Sequence, residues 1–147
     1  MYQFNGWIVL RYHTYEIDSE RQDYEVSKFK HYIKDIDTEN VTVFRRNGLD
    51  SFMISGMHNH KQDYVVEIFE WVAEHLPGSY GLLYIWDDED CYGSYSRYQY
   101  TDETIDNTNK FLVWKLAKGK LTQVDDPFLS PCIPTIEDEY DPSRKDY

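Results

Sequence analysis

The sequence is poor in features that mark several common classes of protein. Only two of its 147 residues are cysteines, Cys91 and Cys132, and they are far apart and in no CxxC pattern. This excludes a disulfide-rich scaffold, and we expect both thiols to be free in a reducing compartment, with a single disulfide between them as the alternative. The seven glycines are scattered and form neither GxGxxG nor a Walker pattern, which excludes the common nucleotide-binding folds.

Long hydrophobic runs and basic segments are also missing. No stretch approaches the roughly 18 apolar residues of a membrane-spanning helix. The first residues, MYQFNGWIVLRYHTYE, contain no basic region, and their apolar run is interrupted at Arg11. This start is not that of a secretory signal peptide, so we expect a cytoplasmic protein.

Charge is strongly one-sided. The chain has 27 acidic side chains against 15 lysines and arginines, for a formal charge of −12. Such a surface repels nucleic acid and anionic membranes, and the partner that fits it best is a basic protein. The hydrophobic content of 41% and the 14 tyrosines indicate a folded domain with amphipathic aromatic side chains available for an interface.

Local patterns predict an alternation of strands and helices. Helical spacing of apolar residues marks two helices, the first with a Ser19–Gln22 capping box and the second with Asn59 as N-cap. The Asn47-Gly48 pair predicts a type I′ hairpin. The predicted strands are 6–15, 41–46, 49–55, 79–86, a short one near 95–100, and two within 110–124 around a turn at Lys118-Gly119; the predicted helices are 19–36 and about 60–76.

The last 23 residues, 125–147, contain four of the five prolines and many carboxylates. Proline has no N–H and a fixed φ, so we expect an extended arm without regular structure. No repeat or linker divides the chain. The element order therefore predicts a single α+β domain with a mainly antiparallel sheet, two helices and this proline-rich acidic C-terminal arm.

Catalytic patterns are weak. His58 and His60 form an HNH string at a strand–helix junction, but the sequence specifies no third metal ligand. Cys91 follows four carboxylates, which disfavour a reactive thiolate. The DDED run at 87–90 does not have the spacing of a calcium loop. We therefore predict no enzyme, cofactor or metal, with a metal-dependent hydrolase that uses the carboxylate clusters and His58/His60 as the alternative.

The acidic clusters have aromatic residues beside them, which is typical of a protein-binding surface. Carboxylates on such a surface accelerate association with a basic partner. Two other hypotheses stay open: the charges only keep the protein soluble, or they make it an acidic adaptor or nucleic-acid mimic. The predicted partner-binding residues are Trp86, Asp87, Asp88, Glu89, Asp90, Tyr92, Tyr95, Tyr98, Asp125, Asp126, Glu137, Asp138 and Glu139.

Two segments, GSYGLLYIWDDED at 78–90 and NKFLVWKLAKGKLTQVDDPFLSPCIPTIEDEYD at 109–141, carry a family resemblance. They resemble bacterial immunity proteins of polymorphic toxin and contact-dependent growth inhibition systems, in particular the immunity protein 7 family. The resemblance spans most of the chain, from FNGWIVLRYHTY onward, and is most specific in DDPFLSPCIPTIED. The residues that match are Trp86, Asp87 to Asp90, Trp114, Asp125 to Pro134, and Glu137.

The resemblance implies a small α+β antidote without catalytic residues. Such a protein binds a cognate toxin domain in the cytoplasm of the producing cell and blocks it. Many of these toxins are nucleases, which agrees with the acidic composition. The resemblance does not fix the oligomeric state or the identity of the toxin.

Overall fold

A computed structural model describes residues 1–92, 105–132 and 142–145. These residues form eight strands and two helices in the order β-α-β-β-α-β-β-β-β-β. The helices are α1 (Ser19–Ile33) and α2 (Tyr64–His75). The strands are β1 (Tyr2–Leu10), β2 (Val41–Arg46), β3 (Leu49–His58), β4 (Tyr80–Asp87), β5 (Cys91–Tyr92), β6 (Ile105–Asp106), β7 (Leu112–Ala117) and β8 (Lys120–Asp125).

Six strands form one antiparallel sheet in the order β2-β3-β1-β4-β7-β8, and β5 pairs with β6 in a separate short ribbon. β1 is central: it pairs with β3 on one side and β4 on the other, both antiparallel. The α+β prediction with a mainly antiparallel sheet and two helices is confirmed.

One face of the sheet packs against both helices. Alternate residues of β1, including Phe4 and Ile8, point to this core and are completely buried. The apolar stripe of α1, with Val26 and Phe29, and that of α2, with Ile68, belong to the same buried cluster. Apolar residues that recur every two positions in the strands and about every 3.6 positions in the helices thus form one two-layer core.

Both predicted turns are confirmed. Asn47 and Gly48 have φ values of 51° and 74°, and they join β2 to β3 with Arg46 opposite Leu49. Lys118 and Gly119, with φ values of 53° and 71°, join β7 to β8. Positive φ at both central positions is the requirement of a type I′ turn.

The predicted bounds of the first strand are wrong. The strand begins at Tyr2 and ends at Leu10, not at 6–15. Beyond Leu10, the backbone N–H groups donate to side chains and no longer to a neighbouring strand. Arg11 N donates to Ser79 Oγ at 2.9 Å and Tyr12 N donates to Gln22 Oε1 at 2.9 Å. Neither side-chain acceptor is adjacent in sequence, so the strand pattern alone did not reveal this end.

The predicted helix caps are also wrong. Asp18 caps α1, and its Oδ1 accepts from the backbone N–H groups of Glu20 and Arg21 at 3.0 and 3.2 Å. Helix α2 begins at Tyr64 with Asp63 at the N-cap, not at Asn59. The predicted strand near 95–100 and residues 133–141 and 146–147 of the arm lie outside the described residues.

Candidate functional site

The four carboxylates 87–90, here called the acidic loop, form a tight turn between β4 and β5. Glu89 N donates to Asp87 Oδ1 at 3.0 Å, and Asp90 N donates to Asp87 O at 3.2 Å. Asp87 and Asp90 are half-buried, whereas Asp88 and Glu89 are exposed. The turn therefore directs two of its four carboxylates to solvent.

Neighbouring groups fix the position of the acidic loop. The N-terminal ammonium of Met1 pairs with Asp88, and this hydrogen bond raises the pKa of the ammonium. His60 Nδ1 lies 3.0 Å from Glu89 Oε1. Asn107 Nδ2 donates to Asp90 Oδ2 at 2.9 Å. The carboxylates thus sit in a defined place beside the first residues of β1.

A cleft of about 240 Å³ lies next to the acidic loop, on the helix-bearing face of the sheet. Its volume is below the roughly 300–1,000 Å³ of typical small-molecule pockets. The floor is largely apolar and the rim carries charges of both signs. The lining residues are Tyr2, Lys61, Val66, Ile85, Asp87, Asp90, Tyr92, Asn107, Lys110, Leu112, Trp114 and Gln123.

The sheet register brings part of the second predicted cluster to the same place. Asp125 is exposed and pairs with Leu112, which in turn pairs with Ile85 on the cleft floor. Tyr92 is 60% exposed and lines the cleft. Asp125 and Tyr92 therefore lie at the same end of the sheet as the acidic loop.

Trp86 lies elsewhere. Successive strand residues point to opposite faces, so Trp86 points away from the cleft that Ile85 and Asp87 line. Its indole Nε1 donates to Thr108 O at 2.8 Å, and its ring lies 6.3 Å from that of Phe111. The structure thus separates Trp86 from the acidic loop that follows it in sequence.

Asp126 has a structural environment. It is only 9% exposed, and its carboxylate accepts from the N–H groups of Phe128 and Leu129 and from Ser130 Oγ at 2.9–3.0 Å. Burial raises the pKa of Asp126, but these hydrogen bonds outweigh it and hold the pKa below its usual value. By accepting these hydrogen bonds, the carboxylate stabilises a turn after β8. Tyr95, Tyr98, Glu137, Asp138 and Glu139 lie outside the described residues.

The two histidines of the HNH string point to separate partners. His58 Nε2 lies 3.0 Å from Asp37 Oδ2 and 2.8 Å from Tyr64 Oη, whereas His60 contacts Glu89. Within the described ranges, no three His, Cys, Asp or Glu residues are grouped so as to hold a metal ion. In the same ranges, no helix is long and apolar enough to cross a membrane.

The thiols offer no reactive pair. Cys91 and Cys132 are both free. Burial and the nearby Asp126 carboxylate raise the pKa of Cys132 to about 11. A thiol with so high a pKa is a poor nucleophile at neutral pH.

Sequence reasoning missed most of the cleft. The register of β4 with β1 and β7 brings Tyr2 and Leu112 together. Lys61, Asn107 and Lys110 reach the same cleft from loops that are distant in sequence. The available signal was the alternation in β4 and β7, which places Ile85 and Leu112 on the inward face. That signal does not say that the helices leave this part of the face uncovered.

Comparison with known families gives one finding. A family model described as Immunity protein 7 matches residues 1–138, nearly the whole chain. Comparisons with curated proteins and with solved structures give no match. Because the matched region contains both helices, the whole six-stranded sheet, the acidic loop and the cleft, the chain belongs to the immunity protein 7 family.

Proposed function

We propose that this immunity protein neutralises a cognate toxin domain by binding it stoichiometrically at the acidic loop and the adjoining cleft. The observation that carries the proposal is the placement of exposed Asp88 and Glu89 beside a cleft with an apolar floor. Charge at the rim and apolar contact at the centre are the general composition of a specific protein interface.

The chemistry favours a basic toxin. Lys61 and Lys110 lie with Asp87 and Asp90 on the rim of the cleft, and the Met1 ammonium pairs with Asp88. The net attraction therefore comes from Glu89 and from the charge of −12 of the whole chain. A nuclease domain is the kind of toxin that fits, because its active site is built to bind phosphates. Binding takes place in the cytoplasm of the producing cell and requires no catalysis.

The cleft gives a specific role to one toxin side chain. The aliphatic stem of a lysine or arginine would pack on Leu112 and Trp114, while its charged end reaches Asp87 or Asp90. Long basic side chains combine apolar and charged contact in this way. Such an anchor in a partly desolvated pocket is expected to carry much of the binding energy.

Co-expression with a candidate cognate toxin domain, sought first among the genes beside this one, tests the proposal. We expect rescue of growth and a one-to-one complex. The double variant Asp88→Asn/Glu89→Gln should slow association about tenfold at low salt, because charge steering of this kind is worth roughly 10- to 1,000-fold. Stopped-flow mixing of the purified proteins measures the rate.

The matched control is Glu16→Gln/Glu20→Gln. It removes the same charge from exposed positions that follow the opposite end of β1. The control should associate at nearly the wild-type rate. Equal slowing in both variants would reject the acidic loop as the docking site, and failure of both rescue and complex formation would reject the toxin pairing itself.

A further inference from the structure

The sheet has a second face, here called the open face, which points away from both helices. The strand register defines it: Trp7 lies between Met53 of β3 and Leu82 of β4. In antiparallel sheets the solvent face is usually polar. The outward positions of the three central strands are instead Gln3, Asn5, Trp7, Val9, Leu49, Ser51, Met53, Ser55, Met57, Tyr80, Leu82, Tyr84 and Trp86.

Large apolar side chains of the open face are exposed to solvent. Trp7, Met53, Met57 and Tyr80 are 42–56% exposed. The rings of Trp7 and Tyr80 are held edge-to-face with their centroids 6.2 Å apart. Tryptophan, tyrosine and methionine are enriched at protein interfaces, and exposed apolar side chains grouped on one face are typical of a binding surface.

The open face contrasts with the rest of the chain in charge. None of the thirteen outward positions of β1, β3 and β4 is charged. On the flanking strands the outward charged residues are Arg46, Lys115 and Lys120, all basic. A chain with a charge of −12 thus carries no carboxylate at any outward position of its six-stranded sheet. A basic toxin would be attracted to the acidic loop and not to this face.

Part of the open face is covered by the chain itself, because Phe111 packs against Tyr84 and Trp86 and Val113 of β7 is buried. The four strands β2, β3, β1 and β4, at about 4.8 Å spacing and about 25 Å in length, give a projected area of about 500 Å². A standard interface buries about 800 Å² on each partner and a weak one less than about 600 Å², so this area suits a concentration-dependent dimer. Two such sheets pack face to face at about 10 Å with interleaved side chains.

We propose that a second copy of this chain covers the open face, forming a two-fold dimer with two central sheets and the helices outside. Two copies that each carry −12 repel one another, and among the described residues the outward strand positions of the open face are a place where they can meet without strand carboxylates facing each other. In a two-fold dimer the same patch of both copies forms the interface, so the patch must be complementary to itself. An uncharged apolar centre meets this requirement because it does not repel its own copy. The cleft points to the opposite side of the sheet, so dimerisation leaves it accessible.

Sedimentation velocity of the purified full chain over a range of micromolar concentrations tests the dimer. We expect a concentration-dependent monomer–dimer equilibrium. The variant Met53→Glu/Met57→Glu should raise the dimer dissociation constant by at least about tenfold, equivalent to about 1.4 kcal/mol. The control Ile17→Glu/Tyr24→Glu changes residues of similar exposure, 47% and 56%, outside the sheet, and should dimerise like the wild type.

A thermal unfolding curve for each variant confirms that the monomers remain folded. A wild-type chain that stays monomeric at all concentrations, or a dimer that Met53→Glu/Met57→Glu leaves intact, would overturn the proposal. Loss of toxin binding in Met53→Glu/Met57→Glu, measured at concentrations at which the variant and the wild type are both monomeric, would also overturn it. The toxin would then be the partner that occupies the open face. Failure of the acidic-loop experiment would leave the dimer result unaffected.

Discussion

Asp37 shows how one half-buried carboxylate organises a junction between elements. It accepts hydrogen bonds from Tyr64 Oη, from Asn40 Nδ2 at 2.7 Å, and contacts His58 Nε2 at 3.0 Å. Its own φ is 41°, a left-handed conformation that aspartate tolerates better than most residues. Burial raises the pKa of Asp37, but these hydrogen bonds outweigh it and lower the pKa below the ordinary 3.8.

Replacing Asp37 with asparagine should destabilise the fold by about 1–3 kcal/mol at neutral pH, because the charge-assisted hydrogen bonds are lost. The wild-type carboxylate has a depressed pKa, so its contribution is complete above the unfolded pKa and disappears as pH falls through the folded pKa. Urea unfolding at pH 7 and pH 3 should therefore give a difference between wild type and variant that shrinks in acid.

The exposed neighbour Asp35 supplies the control for this experiment. Asp35→Asn should change the free energy of unfolding by less than about 0.5 kcal/mol. A difference between wild type and Asp37→Asn that stays constant with pH would contradict the assigned role of the carboxylate.

Individual contacts of this kind were beyond the sequence patterns. His58 stood out through the HNH string, but its partner Asp37 is distant in the chain and was not singled out. Likewise, Gln22 was assigned to a capping box, whereas its amide donates to Leu10 O at 2.9 Å and Asp50 Oδ2 at 3.0 Å. Polar side chains select their partners after the elements have packed, so local spacing does not identify them.

At the scale of elements, the pairing of β1 with β4 depends on a close backbone approach. Gly81 lies opposite Ile8. A Cβ atom added at Gly81 would lie 2.0 Å from Trp7 O and 2.9 Å from Ile8 Cα. Both atoms belong to backbone, so no change of rotamer relieves the contact.

Gly81→Ala should therefore destabilise the protein by about 3 kcal/mol, the upper part of the range for overpacking. Gly48→Ala is the comparison: its φ is +74°, but an added Cβ meets nothing within 4 Å, and the left-handed conformation costs about 1 kcal/mol. Chemical denaturation of both variants measures the difference. Equal losses of unfolding free energy in the two variants would show that β1 and β4 can move apart locally at Gly81 without cost.

Elements were predicted where their signal is local. Asn47-Gly48 specified a hairpin through its own backbone preferences, and Phe29 and Ile68 belong to stripes set by helical period. The end of β1 was predicted wrongly because Ser79 and Gln22, which are distant in sequence, accept the hydrogen bonds of Arg11 N and Tyr12 N. The cleft was not predicted because it depends on where α2 stops covering β7.

At the scale of the whole molecule, charge and apolar surface are separated onto different sides. The acidic loop, the cleft and Asp125 lie at one end of the helix-bearing face, whereas Trp7, Met53 and Tyr80 occupy the open face. A single sheet of alternating residues produces this separation directly, since neighbours in sequence point to opposite sides. The molecule can thus present different surfaces to a basic toxin and to its own copy.

Added salt should act in opposite directions on these two associations. Screening over about 8 Å at physiological ionic strength weakens the attraction of the acidic loop for a basic toxin, so the association rate should fall while the dissociation rate changes little. The same screening weakens repulsion between two chains of charge −12, so the dimer should become tighter.

Stopped-flow association with the toxin and sedimentation of the free chain, both at low salt and at 0.15 M salt, separate the two effects. Asp88→Asn/Glu89→Gln should reduce the salt dependence of the toxin rate and should have a much smaller effect on the dimer. A toxin association rate independent of salt would reject steering by the acidic loop even if binding persisted. A dimer that dissociates as salt is added would mean that charge pairs hold it together, contrary to an uncharged interface centred on Trp7 and Met53.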